Sequence, residues 1–157
     1  MGHPIKTAIG IVAVSVALAL LPAVSASASA DKSSTPLCKA YQTAVKPSSK
    51  GAAAAARAAK AIQRGNWSAA KKAYLQNAAI EVKTFQTLDS LLSNAPSKVK
   101  SAAGVLGDYI NQYKSIVENA KSIKAFSKAT TALAKSAKTT AAANTFAAYY
   151  RSQCGTS

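Results

Sequence analysis

The stretch SKVKSAAGVLGDYINQYKSIVENA, residues 97–120, decides the fold that the sequence predicts. Its apolar residues recur at alternating spacings of four and three positions. They are Val99, Ala103, Leu106, Ile110, Tyr113, Val117 and Ala120. An α-helix has about 3.6 residues per turn, so this spacing places all of them on one side of a helix. The pattern predicts one long helix whose apolar stripe faces a helical core.

The sequence before this helix also favours helix, because alanine and lysine dominate it and no run of alternating β-branched residues occurs. Pro47 interrupts the first region, so that it reads as a short helix over 37–45 joined to a longer one over 49–63. Gly65 and Asn66 predict a helix C-terminus and a loop. A second long helix is expected over 67–93. Its expected inward residues are Trp67, Tyr74, Ala78, Phe85, Leu88 and Leu92.

The two cysteines, Cys38 and Cys154, lie near the two ends of the helical region. In an up-and-down bundle with an even number of helices, the first and last residues lie at the same end, where a disulfide can join them. The sequence therefore predicts an all-α, up-and-down four-helix bundle closed by one disulfide from the start of helix one to the end of helix four. The alternative is that both thiols stay free.

The boundary between helices three and four has no glycine or proline to mark it, since neither occurs between residues 108 and 154. The helix count then requires a turn near residues 119–122, and Ser122 is the expected N-cap of helix four. The residues expected to face inward from helix four are Ile123, Phe126, Leu133, Ala137, Asn144 and Ala148, with Tyr149 and Tyr150 near its end.

Residues 1–30 have the order of a secretory signal peptide. One positive charge at Lys6 precedes the apolar run TAIGIVAVSVALALL, and Pro22 and the small-residue tract AVSASASA follow it. The apolar run is shorter than the about 20 residues that a helix needs to cross a bilayer, which favours a cleaved signal over a membrane anchor. We expect cleavage after Ala30, with Ala26 and Ala28 as alternatives.

Cleavage would leave a flexible N-terminus over 31–36 and a helical domain over 37–157. The protein would then be secreted, and extracellular or associated with the cell wall. An oxidising compartment of this kind permits the Cys38–Cys154 disulfide.

The expected mature chain is strongly basic, with nineteen basic residues against five acidic ones. The alternative is an ordinary solvated helix face, but such a face mixes lysine with glutamate, and acidic residues are few here. We expect affinity for an anionic cell-wall polymer, an anionic lipid or another polyanion. Arginine is rare, so sequence-specific nucleic-acid binding is not expected. The candidate polyanion-binding residues are Lys114, Lys121, Lys124, Lys128, Lys135 and Lys138.

The sequence lacks the usual means of catalysis. Its one histidine, His3, lies in the expected signal peptide. The acidic pairs Glu81 with Asp89, and Asp108 with Glu118, are eight and ten residues apart, which does not place two carboxylates side by side on a helix. We therefore expect a non-enzymatic protein with no catalytic residues, metal or cofactor. The alternative to polyanion binding is a partner- or ligand-binding groove lined by Trp67, Tyr74, Tyr109 and Tyr113.

The layout of the chain resembles that of small secreted, alanine-rich helical proteins of actinobacterial type. The matching elements are Leu37-Cys38 soon after the expected signal, and Tyr150 followed by Cys154-Gly155 at the end. The resemblance implies a helical bundle and an extracellular location, and it assigns no functional residue.

Overall fold

The computed structural model describes residues 35–45 and 49–154, and this part of the chain is all-helical. Residues 1–30, the expected signal peptide, and residues 31–34 lie outside the described residues. The described helices are α1 (Pro36–Val45), α2 (Ser49–Gln63), α3 (Trp67–Ser90), α4 (Ser97–Asn119), α5 (Ile123–Ala134) and α6 (Ala137–Cys154).

The expected four-helix bundle is not confirmed, because the described ranges hold six helices. The region counted as the first helix is α1 and α2, which match the expected short and long helices over 37–45 and 49–63, and Pro47 lies outside the described residues. The fourth expected helix is also two, α5 and α6. The two central helices, α3 and α4, begin at the expected residues, and α3 ends three residues earlier than expected, at Ser90.

Gly65 and Asn66 determine the geometry of the three-residue junction between α2 and α3. Gly65 has a φ of 67°, a left-handed conformation that glycine adopts without strain. Its amide donates to Ile62 O, and the amide of Asn66 donates to Ala61 O, so that the last carbonyls of α2 are satisfied by a Schellman motif. The Asn66 side chain then accepts from Ala69 N at 3.0 Å and caps α3. The prediction of a C-cap and loop at this position is confirmed.

The break between α5 and α6 lies at Lys135 and Ser136. The Ser136 hydroxyl accepts from Thr139 N at 3.3 Å, as an N-cap does for a new helix. Compared with a helix that continued without a break, the buried positions of α6 are shifted by two residues along the sequence. At 100° per residue, this shift corresponds to a rotation of about 200°. The expectation that Ala137, Asn144 and Ala148 face inward is therefore wrong, since all three are exposed. The buried residues of α6 are Thr139, Ala142, Ala143, Phe146, Ala147, Tyr150 and Cys154.

The apolar stripe of α4 is confirmed along its whole length. All seven of its expected members, from Val99 to Ala120, are buried. Helix α4 contacts α3, α5 and α6, while α2 packs against α3, and α1 lies against α3 and α6. The predicted stripe is thus the central element of the core.

The core is divided into two main clusters at opposite ends of α4. The first, which we call the disulfide cluster, combines α1, the C-terminal part of α3, the N-terminal half of α4 and α6. Cys38 and Cys154 are joined in it by a disulfide with a Cα–Cα distance of 5.7 Å, as the sequence predicts. The rings of Tyr41 and Tyr150 stack beside the disulfide, and Tyr150 Oη donates to Cys38 O at 3.3 Å.

The second cluster, which we call the Phe126 cluster, combines α2, the N-terminal part of α3, the C-terminal part of α4 and α5. Phe126 lies among three aromatic rings. Its ring centroid is 5.3 Å from that of Trp67, 4.7 Å from Tyr74 and 6.3 Å from Tyr113. Edge-to-face and offset contacts of this kind add to the free energy gained by burying the rings.

Candidate polyanion-binding surface

The candidate surface is centred on the outer face of α5. Lys124 and Lys128 lie on this helix, Lys121 precedes it by two residues and Lys135 is its C-cap. At about 100° per residue, these lysines fall on the side of α5 roughly opposite its buried residues Phe126 and Thr130. All four lysines are exposed. We call this set of four the lysine edge.

Helix α5 is held in place through the turn that precedes it. Trp67 Nε1 donates to Ala120 O at 3.0 Å, and Lys71 Nζ donates to Glu118 O at 2.6 Å. These bonds satisfy carbonyls at the C-terminus of α4 with side chains from α3. Ser122 then caps α5 by accepting from Ala125 N at 3.2 Å, so the expected N-cap is confirmed. These hydrogen bonds therefore fix the turn that leads into α5, the helix on which the lysine edge is centred.

Lys114 differs from the other candidate lysines. It lies on α4, and its Nζ is 3.3 Å from Glu118 Oε1. Both side chains are about half exposed, so the pair contributes little to stability, but it places a carboxylate beside this lysine. Lys114 lies on α4 and Lys121 lies in the turn after it, so their seven-residue spacing does not place them on one helix face.

A depression of about 450 Å³ adjoins the end of the lysine edge, between α4, the end of α5 and the start of α6. Lys138, another candidate residue, lies at its rim in the first turn of α6. The depression combines hydrogen-bond donors, acceptors and one carboxylate. Its polar lining residues are Asp108, Tyr109, Gln112, Ser136, Lys138 and Thr139. Such a lining suits a ligand with hydroxyl groups, since Lys138 supplies one positive charge at the rim and Asp108 one negative charge.

The acidic residues lie on other helices than the lysine edge, and the nearest of them in the sequence is Glu118, three residues before Lys121. Residues 119–157 contain six basic side chains and no aspartate or glutamate. Within the described residues, all four acidic side chains belong to α3 and α4. The outer face of α5 therefore has no carboxylate of its own helix or of the described part of α6 beside its lysines.

The aromatic residues of the alternative groove are mostly packed into the core. Tyr74, Tyr109 and Tyr113 are buried, and Trp67 is half-buried against Phe126. Burial raises the pKa of the Tyr113 hydroxyl well above its ordinary value, with smaller contributions from Glu81 and two other tyrosines. Tyr109 alone among the four lines the depression next to the lysine edge.

Glu81 differs from the other described acidic residues, and the spacing of the acidic pairs in the sequence does not reveal this difference. The Glu81 carboxylate accepts from Asn77 Nδ2 at 2.7 Å. Burial raises its pKa to about 7, and the Asn77 hydrogen bond opposes that shift. The signal was present in the spacing, since Glu81 falls between Ala78 and Phe85 on the inward side of α3.

Within 35–45 and 49–154, no three His, Cys, Asp or Glu side chains form a group that could hold a metal ion. None of the six described helices is long and apolar enough to cross a membrane. No protein-family model, curated protein or solved structure matches the chain.

Proposed function

We propose that this protein is exported and binds anionic polymers of the cell envelope through the lysine edge, without catalysing a reaction. The polymer would lie along the outer face of α5, with its negative groups beside Lys121, Lys124, Lys128 and Lys135. A unit of the polymer would enter the adjoining depression near Lys138. The mixed lining there favours a polymer that carries both hydroxyl groups and phosphates over one that carries charge alone.

The observation that carries the proposal is the separation of charge between elements. Four exposed lysines share one side of α5, whereas every described carboxylate lies on α3 or α4. An evenly mixed surface would neutralise its charges in local pairs, as Lys114 and Glu118 do. The lysine edge instead keeps its charge available for an anion from outside the chain.

Two further observations support export. Residues 1–30 have the charge, apolar run and small-residue tract of a signal peptide. The Cys38–Cys154 disulfide is compatible with an oxidising compartment outside the cytoplasm. The resemblance to small secreted actinobacterial proteins is consistent with the same location. Native mass spectrometry of the chain recovered from the medium would test export, the cleavage site and the disulfide together.

The test of binding compares two sets of four Lys→Gln substitutions in the full chain. The first set removes the lysine edge. The second is a charge-matched control that removes four exposed lysines from α2, α3 and α4: Lys60, Lys72, Lys83 and Lys98. Binding to a purified polyol-phosphate polymer would be measured by isothermal titration calorimetry over a series of salt concentrations.

The lysine-edge set should weaken binding at least tenfold. It should also reduce the slope of log K against log salt by about 3, because each lysine contact that is lost leaves condensed counterions on the polymer that binding would otherwise release. The control set should have a smaller effect on both quantities. Equal losses in the two sets would mean that the polymer responds only to net charge. The proposal would be rejected outright if the unmodified chain showed no binding at low ionic strength.

A further inference from the structure

A second depression lies between α2 and α3, away from the lysine edge. It has a volume of about 550 Å³, within the range of about 300–1,000 Å³ that is usual for small-ligand sites. Its floor is apolar and includes Ala53, Ala79 and Ile80, whereas Lys50, Arg57 and Gln76 supply its polar groups. We call it the α2–α3 groove.

The groove exists because small alanine side chains make up eight of the fifteen residues of α2. Residues 52–56 form an unbroken alanine run. Ala54 and Ala58 are fully buried against α3, so the two helices approach closely through these small side chains. Ala53 on α2 and Ala79 on α3 remain exposed, and neither carries a side chain long enough to cover the space above it. The α2–α3 groove is therefore an open, apolar depression beside a close contact between the two helices.

The charge of the groove has one sign. Lys50 and Arg57 are seven residues apart on α2, about 10 Å along the helix axis and on nearly the same side of it. Arg57 Nη2 donates to Gln76 Oε1 at 3.0 Å, which leaves further guanidinium donors for a ligand. Residues 32–80 contain no acidic side chain, so no carboxylate lines the groove.

We propose that the α2–α3 groove binds a fatty carboxylate, a single acyl chain with one acidic headgroup. The acyl chain would lie on the floor beside Ala53, Ala79 and Ile80. The headgroup would bind Arg57, whose planar guanidinium can donate two parallel hydrogen bonds to a carboxylate. An anionic polymer fits this groove poorly, because a hydroxylated and charged chain gains nothing from an apolar floor.

The experiment titrates the full chain with dodecanoate below its micelle concentration and follows binding by calorimetry. Ala53→Trp fills the floor of the groove, and Ala56→Trp is the matched control. Ala56 is also an exposed alanine of α2, but it does not line the groove. Arg57→Gln removes the headgroup contact, and Lys60→Gln makes the same charge change on the same helix outside the groove.

Saturable binding of dodecanoate is expected, with at least a tenfold loss in Ala53→Trp and a several-fold loss in Arg57→Gln. Ala56→Trp and Lys60→Gln should bind within twofold of the unmodified chain, and dodecanol should bind more weakly than dodecanoate. Circular dichroism would verify that each variant is folded. No saturable binding, or equal losses in the two tryptophan variants, would overturn the proposal.

The groove and the lysine edge can be tested separately. The variant lacking the lysine edge should keep its affinity for dodecanoate, because its four substitutions lie on or beside α5. Loss of dodecanoate binding in that variant would show that the ligand is held by the lysine edge, and the assignment to the groove would be wrong. Failure of polymer binding would leave the groove proposal unaffected.

Discussion

The disulfide cluster and the Phe126 cluster share the same two central helices, α3 and α4, but different contacts close them. The disulfide cluster joins the two ends of the described chain by a covalent bond between α1 and α6. The Phe126 cluster has no covalent link and depends on one ring packed among Trp67, Tyr74 and Tyr113. Alanine supplies much of the remaining buried surface in both clusters.

This difference shows how an alanine-rich chain can stabilise a core. Burying an alanine gains much less free energy than the about 1.5–3 kcal/mol of a large apolar side chain. The stability of each cluster should therefore depend on a few features that are not alanine. These are the disulfide at one end of the molecule and the aromatic group at the other.

Removing the disulfide should have the largest effect on stability. The bond closes a loop with a sequence separation of 116, and the Cys38→Ala/Cys154→Ala double variant should lose about 4–5 kcal/mol of unfolding free energy on the chain-entropy estimate. Chemical denaturation would measure this loss. A change below about 1 kcal/mol would show that the disulfide cluster is stable without its covalent bond.

The same variant tests whether the two ends are independent. Hydrogen exchange should accelerate first in α1 and the C-terminal part of α6, while amides of α5 retain more of their protection. Uniform acceleration along the chain would show that the two clusters unfold as one unit. The comparison between them would then concern their composition only.

Phe126→Ala should have the next largest effect, about 3–4 kcal/mol, because the substitution leaves a cavity among three aromatic neighbours. Phe126→Leu is the control, since it keeps most of the volume and should cost less. Thermal unfolding in oxidising buffer would measure both variants. A loss of the same size in Phe126→Leu would mean that aromatic geometry, and not filled volume, stabilises this cluster.

The two clusters also differ in how far the sequence predicts them. The sequence predicts α4 and a stripe whose seven members are all buried, because no break interrupts its periodicity over residues 97–119; Ala102 and Tyr109 are buried as well and were not part of that stripe. The disulfide followed from the positions of Cys38 and Cys154 near the ends of the helical region. In both cases the pattern extends over a long distance, so a small error in one helix boundary does not change the conclusion.

The break at Ser136 was not predictable in the same way. Serine is common in this chain, and neither glycine nor proline distinguishes residue 136 from other positions. Once the break is missed, a periodicity continued from Phe126 points to the wrong side of α6. The exposed positions of the six candidate lysines were predicted, but their division among α4, α5, α6 and the turns depended on this same boundary.

The half-buried carboxyl of Glu81 connects the stability of the two central helices to pH. Its pKa is raised from 4.5 to about 7 in the folded chain, so the folded state binds this proton more tightly than the unfolded state. The stability contribution is complete below pH 4.5 and is lost as the pH rises through about 7. Glu81→Gln should remove this dependence and increase stability at pH 8 by about 3 kcal/mol, since one pKa unit corresponds to about 1.4 kcal/mol.

Urea denaturation at pH 5 and pH 8 would isolate this effect as the difference between the unmodified chain and Glu81→Gln. Asp89→Asn is a suitable control, because Asp89 is an exposed carboxylate on the same helix. A pH dependence that persists unchanged in Glu81→Gln would show that this carboxyl has its ordinary pKa in the folded chain.

Trp67→Phe should cost about 1 kcal/mol or slightly more, because it keeps a ring beside Phe126 and removes the Nε1 donor to Ala120 O. The loss should be localised to the turn between α4 and α5, where hydrogen exchange would accelerate. If exchange in this turn were unchanged, the Lys71 hydrogen bond to Glu118 O would be sufficient to fix the position of α5.

The smallest expected effects concern buried tyrosine hydroxyls, and they compare the two clusters directly. Tyr41 in the disulfide cluster and Tyr113 in the Phe126 cluster each bury a hydroxyl that has no hydrogen-bond partner among the described residues. Replacing either tyrosine by phenylalanine should leave stability unchanged or raise it slightly, since an unpaired polar atom is removed from the core. Tyr150→Phe is the control, and it should cost about 1 kcal/mol because its hydroxyl donates to Cys38 O. A clear loss in Tyr41→Phe or Tyr113→Phe, measured by urea denaturation, would show that its hydroxyl is hydrogen-bonded in solution, with buried water as the simplest partner.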